Sequence, residues 1–346
     1  MATVKPESYK FGIEIEVLLR CPDKKPGKWD TLANEFSHRL STAGIPNSVQ
    51  ENDSYRKWSI VRELTVQGEN PYEYGIELIS PIYTASSITT LSVDLQRIFA
   101  VLNTNNHYFL IPTPKCSSHV HISRTSPISP TELAGLAKAV LYFEQALNQL
   151  MPPERRNPEC YWTKSNRSRD NPSLAGLSLA ECLAKIDATA AATAQCSGEN
   201  DRHPRPIVEV MNLYSKETNF ARARGRQAHF VRGKTYRWNL AGLLTAAERS
   251  PDDMDVGNLG TIEFRQPSGS VTAEDAMAWV VLAVAFVAAA VAYGQELGGE
   301  DAEVWREEGG SMADLWEFLK AGSLVLGWDD LEVLKRLFQR AGLDVV

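Results

Sequence analysis

The chain has 346 residues and a formal net charge of -7, with 43% hydrophobic and 23% charged residues. This length suggests about two domains but also fits one large α/β unit, and the composition predicts a sizeable core and excludes a disordered chain. The negative charge argues against a general polyanion binder, although basic residues cluster in 155–169 and 216–237. Local positive charge in an acidic protein suits a compact anionic ligand better than a long duplex.

The five cysteines are widely spaced, odd in number and without a CxxC pair. This pattern indicates neither a disulfide framework nor a zinc cluster, and it favours a reducing compartment. The first residues, MATVKPESYKF, lack the apolar run of a signal peptide. We therefore expect a cytoplasmic protein.

The first predicted element is a strand over 11–17, FGIEIEV. Because side chains alternate across a strand, its apolar residues share one face, and Glu14 and Glu16 share the other. Ordinary solvated faces carry mixed Thr, Ser, Lys and Gln, whereas this arrangement of metal- and phosphate-binding residues returns in three later strands. Those strands carry Glu77, the pair His119 and His121, and the pair Glu263 and Arg265. We predict that the four faces line one cavity.

The other segments alternate predicted helices with predicted strands. Helices are predicted for 29–44, 86–102, 129–150, 178–195, 276–293, 312–320 and 331–340, and strands for 57–66, 74–82, 107–111, 118–123, 207–214, 235–240 and 260–266. Segment 276–293 lacks charges over nearly the length of a membrane span, but its acidic flanks favour a buried core helix. The scattered polar-faced strands predict one domain over 1–346, with a helical insertion at 174–206 and a helical C-terminal cap at 299–346.

The paired acids indicate a metal site. Carboxylates two residues apart on a strand lie ~6.6 Å apart along the backbone, close enough to bridge divalent cations. Without a cation, buried acids would repel, and one would take up a proton. The predicted metal ligands are Glu14, Glu16, Glu77 and Glu263, a set of oxygen donors typical of Mg²⁺ or Mn²⁺. With basic clusters for phosphate and no GxxxxGK[ST] motif, the sequence predicts a nucleoside triphosphate and Mg²⁺ site without a P-loop.

Each motif also has a structural interpretation. Glu14 and Glu16 fit a solvated strand face, and the two histidines fit a zinc pair or hydrogen-bonded core residues. The arginines of 155–169 are also typical of a surface loop that is kept soluble by its charge. Glu144 is also consistent with a structural role at the edge of the apolar face of a helix. The co-occurrence of four polar-faced strands favours the functional interpretation, because independent solvated faces should not all avoid Thr and Lys.

Taken together and in order, these motifs resemble the amidoligases common in fungi and bacteria. The motifs are FGIEIEV, WSIVRELT, GIELISPI, CSSHVHIS, YFEQAL followed by MPPERRNPECY, YRWNL and GTIEFRQPSGS, and the resemblance runs from about Phe11 to Tyr293. That family is placed in the carboxylate-amine ligase superfamily, with glutamine synthetase and glutamate-cysteine ligase as distant relatives. Two positions depart from its pattern: Ser117 stands where glycine is usual, and Glu63 where an aspartate is expected.

The resemblance implies an α+β, glutamine-synthetase-like catalytic fold. Its curved, mostly antiparallel sheet would bind ATP and Mg²⁺ (or Mn²⁺) on a concave face, with helices packed on the outer face. Catalytic roles are implied for Arg265, Glu77 and His121. Contacts with the nucleotide or its phosphates are implied for His119, His121, Arg155, Arg156, Arg237, Asn239 and Arg265. The reaction would transfer the γ-phosphoryl group of ATP to a carboxylate, and an amine would then attack the acyl phosphate.

The expected partners are a small carboxylic acid and an amine or amino acid, with no nucleic acid and no membrane. Three alternatives stay open at this point. A phosphotransferase of guanidino-kinase type would stop at phosphoryl transfer, and a non-catalytic nucleotide- or RNA-binding protein would use the arginine-rich loops. A metal-dependent hydrolase would hold zinc on His119 and His121.

Overall fold

The computed structural model describes residues 8–20, 28–50, 55–103, 109–157, 160–167, 171–195, 204–212, 235–244, 260–297 and 308–343. Within these ranges the fold is α+β, with nine strands in one sheet and ten α-helices. The strands are β1 (Tyr9–Arg20), β2 (Asn47–Val49), β3 (Trp58–Arg62), β4 (Glu73–Ile79), β5 (Tyr83–Thr84), β6 (Phe109–Ile111), β7 (Ser118–Arg124), β8 (Trp238–Asn239) and β9 (Ile262–Phe264). The helices are α1 (Trp29–Thr42), α2 (Ile88–Leu102), α3 (Pro130–Tyr142), α4 (Glu144–Leu150), α5 (Pro153–Arg156), α6 (Leu179–Gln195), α7 (Arg205–Asn212), α8 (Ala273–Tyr293), α9 (Met312–Leu326) and α10 (Glu332–Arg340).

Strand β1 lies at the centre of the sheet, whose order is β2-β3-β4-β1-β7-β9-β8. Its 12 residues pair with β4 and β5 along one edge and with β7 and β6 along the other. Every pairing is antiparallel except that of β2 with β3, which is parallel. The predicted α+β class and mostly antiparallel sheet are therefore confirmed, and the sheet is open and mixed.

One face of the sheet packs on helices. The alternate residues Phe11, Ile13 and Ile15 of β1 are buried there, and α8 lies against β1 and β7. Among the described helices, the one that contains α8 and the following turn, Ala273–Glu296, is long and apolar enough to cross a bilayer. However, 83% of its most apolar window is buried inside the protein. This burial is what the prediction of a core helix requires.

The capping boxes predicted for two helices are present. Ser129 accepts a hydrogen bond from the backbone of Glu132, whose carboxylate accepts one from the backbone of Ser129, and this pair starts α3. Ser178 and Glu181 make the same exchange before α6. The helix predicted over 129–150 is divided at Phe143 into α3 and α4. Local side-chain bonds thus set where these helices begin.

The strand predicted for 207–214 is wrong, because this segment forms α7. The segment looked strand-like in the sequence, yet Ile207, Val208 and Met211 are buried at helical spacing. An ion pair of Arg205 with Glu209, one turn apart, also fits a helix. Residues 213 and 214, together with the basic segment 216–234, lie outside the described residues.

Candidate active site

Strand register places polar residues from five strands on one face of the sheet. In β1, Gly12, Glu14 and Glu16 alternate with the buried apolar residues that face the helices. Directly opposed residues of neighbouring strands share a face. The opposed pairs are Glu16 with Glu77, Glu14 with His119, Gly12 with His121, His121 with Glu263, and Glu263 with Asn239. These side chains therefore form one continuous polar surface, although β1 and β9 are far apart in sequence.

Two histidines lie between the acids of this surface. His119 Nδ1 is 3.1 Å from one carboxylate oxygen of Glu14, and His121 Nε2 is 3.2 Å from the other. His121 Nε2 is also 3.6 Å from Glu263, and His119 Nε2 is 4.0 Å from Glu16. Thr261 fixes the ring of His121 from its far side, through a 3.2 Å contact with Nδ1. The histidines thus link acids from β1 and β9.

The ionisable side chains form three overlapping groups with metal-ligand spacing. In each group the ligand atoms lie within 4.8 Å of one another. The groups are Glu14 with His121 and Glu263, Glu14 with Glu77 and His119, and Glu16 with Glu63 and Glu77. Glu14 and Glu77 each belong to two groups, so they occupy the centre of the candidate site.

Glu63 belongs to the candidate site, although its role was not predicted from the sequence. It follows β3, and its carboxylate accepts a 2.6 Å hydrogen bond from the backbone of Thr65, which orients it. The signal for its position is the period of two: Val61 in β3 opposes Glu77, and Glu63 is two residues further along the chain. The third candidate group is therefore completed from the β3 side of the sheet.

Glu14 and Glu263 are held in the ionised form. Burial opposes the ionisation of both carboxyls, but nearby positive groups outweigh it. His121 and His119 hold the pKa of Glu14 well below its ordinary value. Arg265, with the two histidines, lowers the pKa of Glu263 to about 2. In return, Glu14 and Glu263 raise the pKa of His121 against the opposing effect of burial.

For the acids on the β4 side of the site, Glu77 and Glu16, burial outweighs the nearby positive groups, so their pKa values are raised. Burial raises the pKa of Glu77 well above its ordinary value, and the charges of Glu14, Glu16 and Glu63 raise it further. Burial likewise raises the pKa of Glu16, although the nearby His119 acts against it. Negative charge on this side therefore exceeds what the neighbouring cations of the protein neutralise.

Arg265 is the cation in direct contact with the acids. It follows β9, is buried, and pairs with Glu263, which also accepts a 2.9 Å hydrogen bond from Asn239. Burial disfavours its charge, but Glu263, Glu14 and Glu16 together raise the pKa of Arg265. Its Nε atom has no hydrogen-bond partner among the described residues. One buried donor of this charged side chain is therefore left unsatisfied by the described residues.

Arg155, a predicted phosphate contact, is buried at the turn that precedes β7. Its Nη2 atom donates to the backbone carbonyl of Cys116 and, at 2.8 Å, to the hydroxyl of Ser117. The backbone N–H of Ser117 donates in turn to the carboxylate of Glu16 at 2.7 Å. Arg155 therefore fixes the turn that orients Glu16.

Arg156 and Arg237, two other predicted contacts, also bind protein groups. Arg156 donates to the backbone carbonyl of Met151 at the end of α4. Arg237 pairs with Glu144 at 3.1 Å, and Glu144 accepts a further hydrogen bond from Ser165. Within the described part of the chain, the structure brings neither guanidinium group into contact with the acids of the site.

Replacing Arg155 with methionine is expected to weaken the binding of Mn²⁺, a probe for the site, by about 10- to 100-fold, the usual effect of losing a group that orients a metal ligand. The reason is that the Cys116–Ser117 turn would lose its guanidinium, and Glu16 would lose its fixed position. Isothermal titration of the purified protein with Mn²⁺ measures the change.

Arg156→Met is the matched control, because Arg156 is adjacent in sequence but bonded to the end of α4. It should bind Mn²⁺ as the unmodified protein does. Equal affinities for Arg155→Met and Arg156→Met would contradict the orienting role of Arg155.

The side chains of the site suit a divalent cation that prefers oxygen ligands. Five carboxylates and two imidazoles face one another, and each of the three candidate groups contains at least two carboxylates. Mg²⁺ and Mn²⁺ prefer such carboxylate-rich sets, whereas structural zinc sites are built mainly from Cys and His. The donor chemistry therefore fits Mg²⁺ or Mn²⁺ held by Glu14, Glu16, Glu77 and Glu263, with Glu63 as an additional ligand.

Comparison with known proteins gives one family. Residues 7–170, less than half of the chain, match the sequence model of a family described as "Putative amidoligase enzyme". No curated protein matches. The matched segment contains Glu14, Glu16, Glu77 and both histidines, whereas β9 lies beyond it and is brought alongside by its pairing with β7. The similarity supports a ligase-type enzyme that forms amides.

Proposed function

We propose that this protein is an ATP-dependent carboxylate-amine ligase that joins a carboxylic acid to an amine or amino acid. The observation that carries the proposal is the single face on which Glu14, Glu77 and Glu263 meet Arg265. Five carboxylates together with one arginine suit a metal-bound triphosphate, whose negative charge needs both cations and a forked donor. The similarity of residues 7–170 to amidoligases adds the amide-forming chemistry.

In the proposed reaction, a substrate carboxylate oxygen attacks the γ-phosphorus of ATP, and the bond from that phosphorus to the β,γ-bridging oxygen breaks to release ADP. The amine nitrogen then attacks the acyl carbon, forms the C–N bond, loses a proton and expels phosphate. When bound, Mg²⁺ or Mn²⁺ supplies charge neutralisation for the transferring phosphoryl group.

The protein's own residues have distinct parts in this scheme. Arg265, kept charged by Glu263, donates to the phosphates from a buried position where hydrogen bonds are strong. Glu77 and Glu14 hold the cations, and His121 positions Glu14 beside Glu263. His119 has the same function between Glu14 and Glu16. Asn239 fixes the second oxygen of Glu263.

The same proposal also covers the superfamily of the protein and its location in the cell. We assign the fold to the carboxylate-amine ligase superfamily, with a concave sheet face as in glutamine synthetase and glutamate-cysteine ligase. We place the protein in the cytoplasm with small-molecule partners and without nucleic acid or a membrane. Of the four predicted arginines, Arg265 is the one whose guanidinium contacts an acid of the candidate metal site, so we assign it to the phosphates.

The decisive experiment measures ADP release with a panel of carboxylic acids and amines and detects the joined product by mass. We expect an amide together with equal amounts of ADP and phosphate, and no turnover when EDTA removes the divalent cations. A stable phosphorylated product would identify a phosphotransferase instead. ATP binding that survives EDTA, with no product, would contradict the ligase and favour a nucleotide-binding protein.

A further inference from the structure

A pocket opens beside the candidate metal ligands, over Gly12 of β1. It encloses about 520 Å³, including the part open to solvent, and Glu14 and His121 form the wall that it shares with the metal-binding face. The rest of its described lining includes the apolar residues Ile79 and Ile82 as well as Tyr55 and Ser123. The pocket is therefore continuous with the site at which the substrate carboxylate must lie.

Glycine at position 12 keeps this pocket open. The face of β1 that carries Glu14 and Glu16 has no side chain at Gly12, directly opposite His121. A Cβ atom there would lie 3.2 Å from the hydroxyl of Ser80, a close but tolerable contact. Any larger group would project into the space that the pocket now offers.

The pocket offers a ligand few polar contacts and little charge. Of the described residues that line it, Glu14 and His121 alone carry a group that ionises near neutral pH. The hydroxyl of Ser80 already accepts from Ile13 and donates to a backbone carbonyl, and that of Thr261 is in contact with His121. Tyr55 and Ser123 carry the other two side-chain hydroxyls of the described lining, and hydroxyls do not neutralise a negative charge. A second carboxylate would therefore lose its hydration here without finding an opposite charge.

The rim of the pocket has an unusual backbone conformation. Tyr55 has a φ of 46°, a left-handed conformation that bulky residues adopt only at a cost in free energy. Its carbonyl accepts a 3.0 Å hydrogen bond from the backbone of Ile82, whose side chain is 57% exposed. The apolar side chain of Ile82 is thus exposed to solvent at the mouth of the pocket.

We propose that this pocket binds the uncharged, apolar tail of the carboxylic acid substrate, while the carboxylate lies beside Glu14 and His121. The substrate class is thus a monocarboxylic acid with an aliphatic or aromatic chain, and acids with a second charge at the far end are excluded. The inference rests on the proposed ligase function, because that function places the carboxylate at the metal ligands.

Hexanoate and adipate test the proposal, because adipate has the same chain with a second carboxylate at its end. In titrations of the full chain with Mg²⁺ and without ATP, we expect hexanoate to bind at least about 10-fold more tightly than adipate. Gly12→Ala should weaken hexanoate binding by about 10-fold, since the added methyl group occupies the pocket.

A charge at the rim provides a second test that does not alter β1. Ile82→Arg should improve adipate binding relative to hexanoate by about 2- to 5-fold, the range for an exposed ion pair. Leu324→Arg, on α9 and 73% exposed, is the control and should change neither. Folding of each variant is checked by its melting temperature.

The outcomes test the pocket assignment and the proposed ligase reaction separately. Failure of the unmodified protein to bind hexanoate, or equal binding by Gly12→Ala, would overturn the pocket assignment. Hexanoate binding that responds to Gly12→Ala, without ADP release for any acid and amine, would support the pocket and contradict the ligase. ADP release for an acid whose KM is the same in Gly12→Ala and in the unmodified protein would support the ligase and overturn the pocket assignment.

Discussion

Replacing Glu14 with glutamine is expected to lower magnesium-dependent ADP release by about 10³-fold, the loss that follows when several kcal/mol of metal stabilisation disappear. Glu14 belongs to two of the three candidate ligand groups, so one substitution removes a ligand from both. Its amide would keep the shape of the side chain but not the charge that attracts the cation. Steady-state ADP release over a range of Mg²⁺ concentrations measures the effect.

The matched control is Glu317→Gln, an exposed glutamate on α9 that pairs only with Lys320 among the described residues. It should keep full activity. We also expect Mn²⁺ to raise the melting temperature of the unmodified protein. This rise should persist in Glu317→Gln and be absent in Glu14→Gln. Full activity in Glu14→Gln would contradict both the metal site and the proposed mechanism.

The polar face of the candidate site follows from the sequence because alternation along a strand is a local property. FGIEIEV puts Glu14 and Glu16 opposite its apolar residues whatever the neighbouring strands are. Which strands become neighbours depends on the whole fold. The pairing of β7 with β9, which brings Glu263 to His121, joins segments 142 residues apart, as the difference of the two residue numbers shows.

Side-chain direction outside regular strands is harder to predict. Arg155 and Arg156 are adjacent and equally basic, yet one supports Glu16 through Ser117 and the other binds the end of α4. No sequence rule distinguishes two long flexible side chains in a short helix. Each one binds the carbonyls that packing brings within reach, so the shared prediction of phosphate contacts could not separate their roles.

The strand prediction for 207–214 was wrong for a related reason. Ile207, Val208 and Val210 have high strand propensity, and propensity is a weak guide where tertiary packing decides. Helix α7 instead packs against α3 and α6, and burial of one helical face there outweighs the preference for strands.

Replacing Glu77 with glutamine is expected to stabilise the metal-free protein while lowering ADP release by about 10²-fold or more. Burial and three neighbouring acids raise the pKa of Glu77 in the folded state. The folded protein therefore binds this proton more tightly than the unfolded chain does, and the free energy of unfolding falls as pH rises from the unfolded pKa through the folded one. At neutral pH the charged form opposes folding, and glutamine removes that opposition.

Melting temperatures measured without divalent cations test whether Glu77→Gln raises or lowers the stability of the protein. We expect Glu77→Gln to melt roughly 1–3 °C above the unmodified protein at about pH 8, with a smaller difference at about pH 5. Glu14→Gln should show the opposite sign at about pH 8. The histidines lower the pKa of Glu14, so its charged form contributes stability that is present above the unfolded pKa and is lost as pH falls through the folded one.

The pair of variants separates a ligand role from a merely structural one. If a carboxylate has only a structural role, a substitution that removes its charge is expected to lower both activity and stability. If Glu77 is kept to bind a cation, its variant loses activity and gains stability, as is common where function requires strained or repelling groups. A Glu77→Gln protein that melts below the unmodified protein in the absence of cations would show that its charge supports the fold, and the β4 side of the metal site would then have to be reassigned.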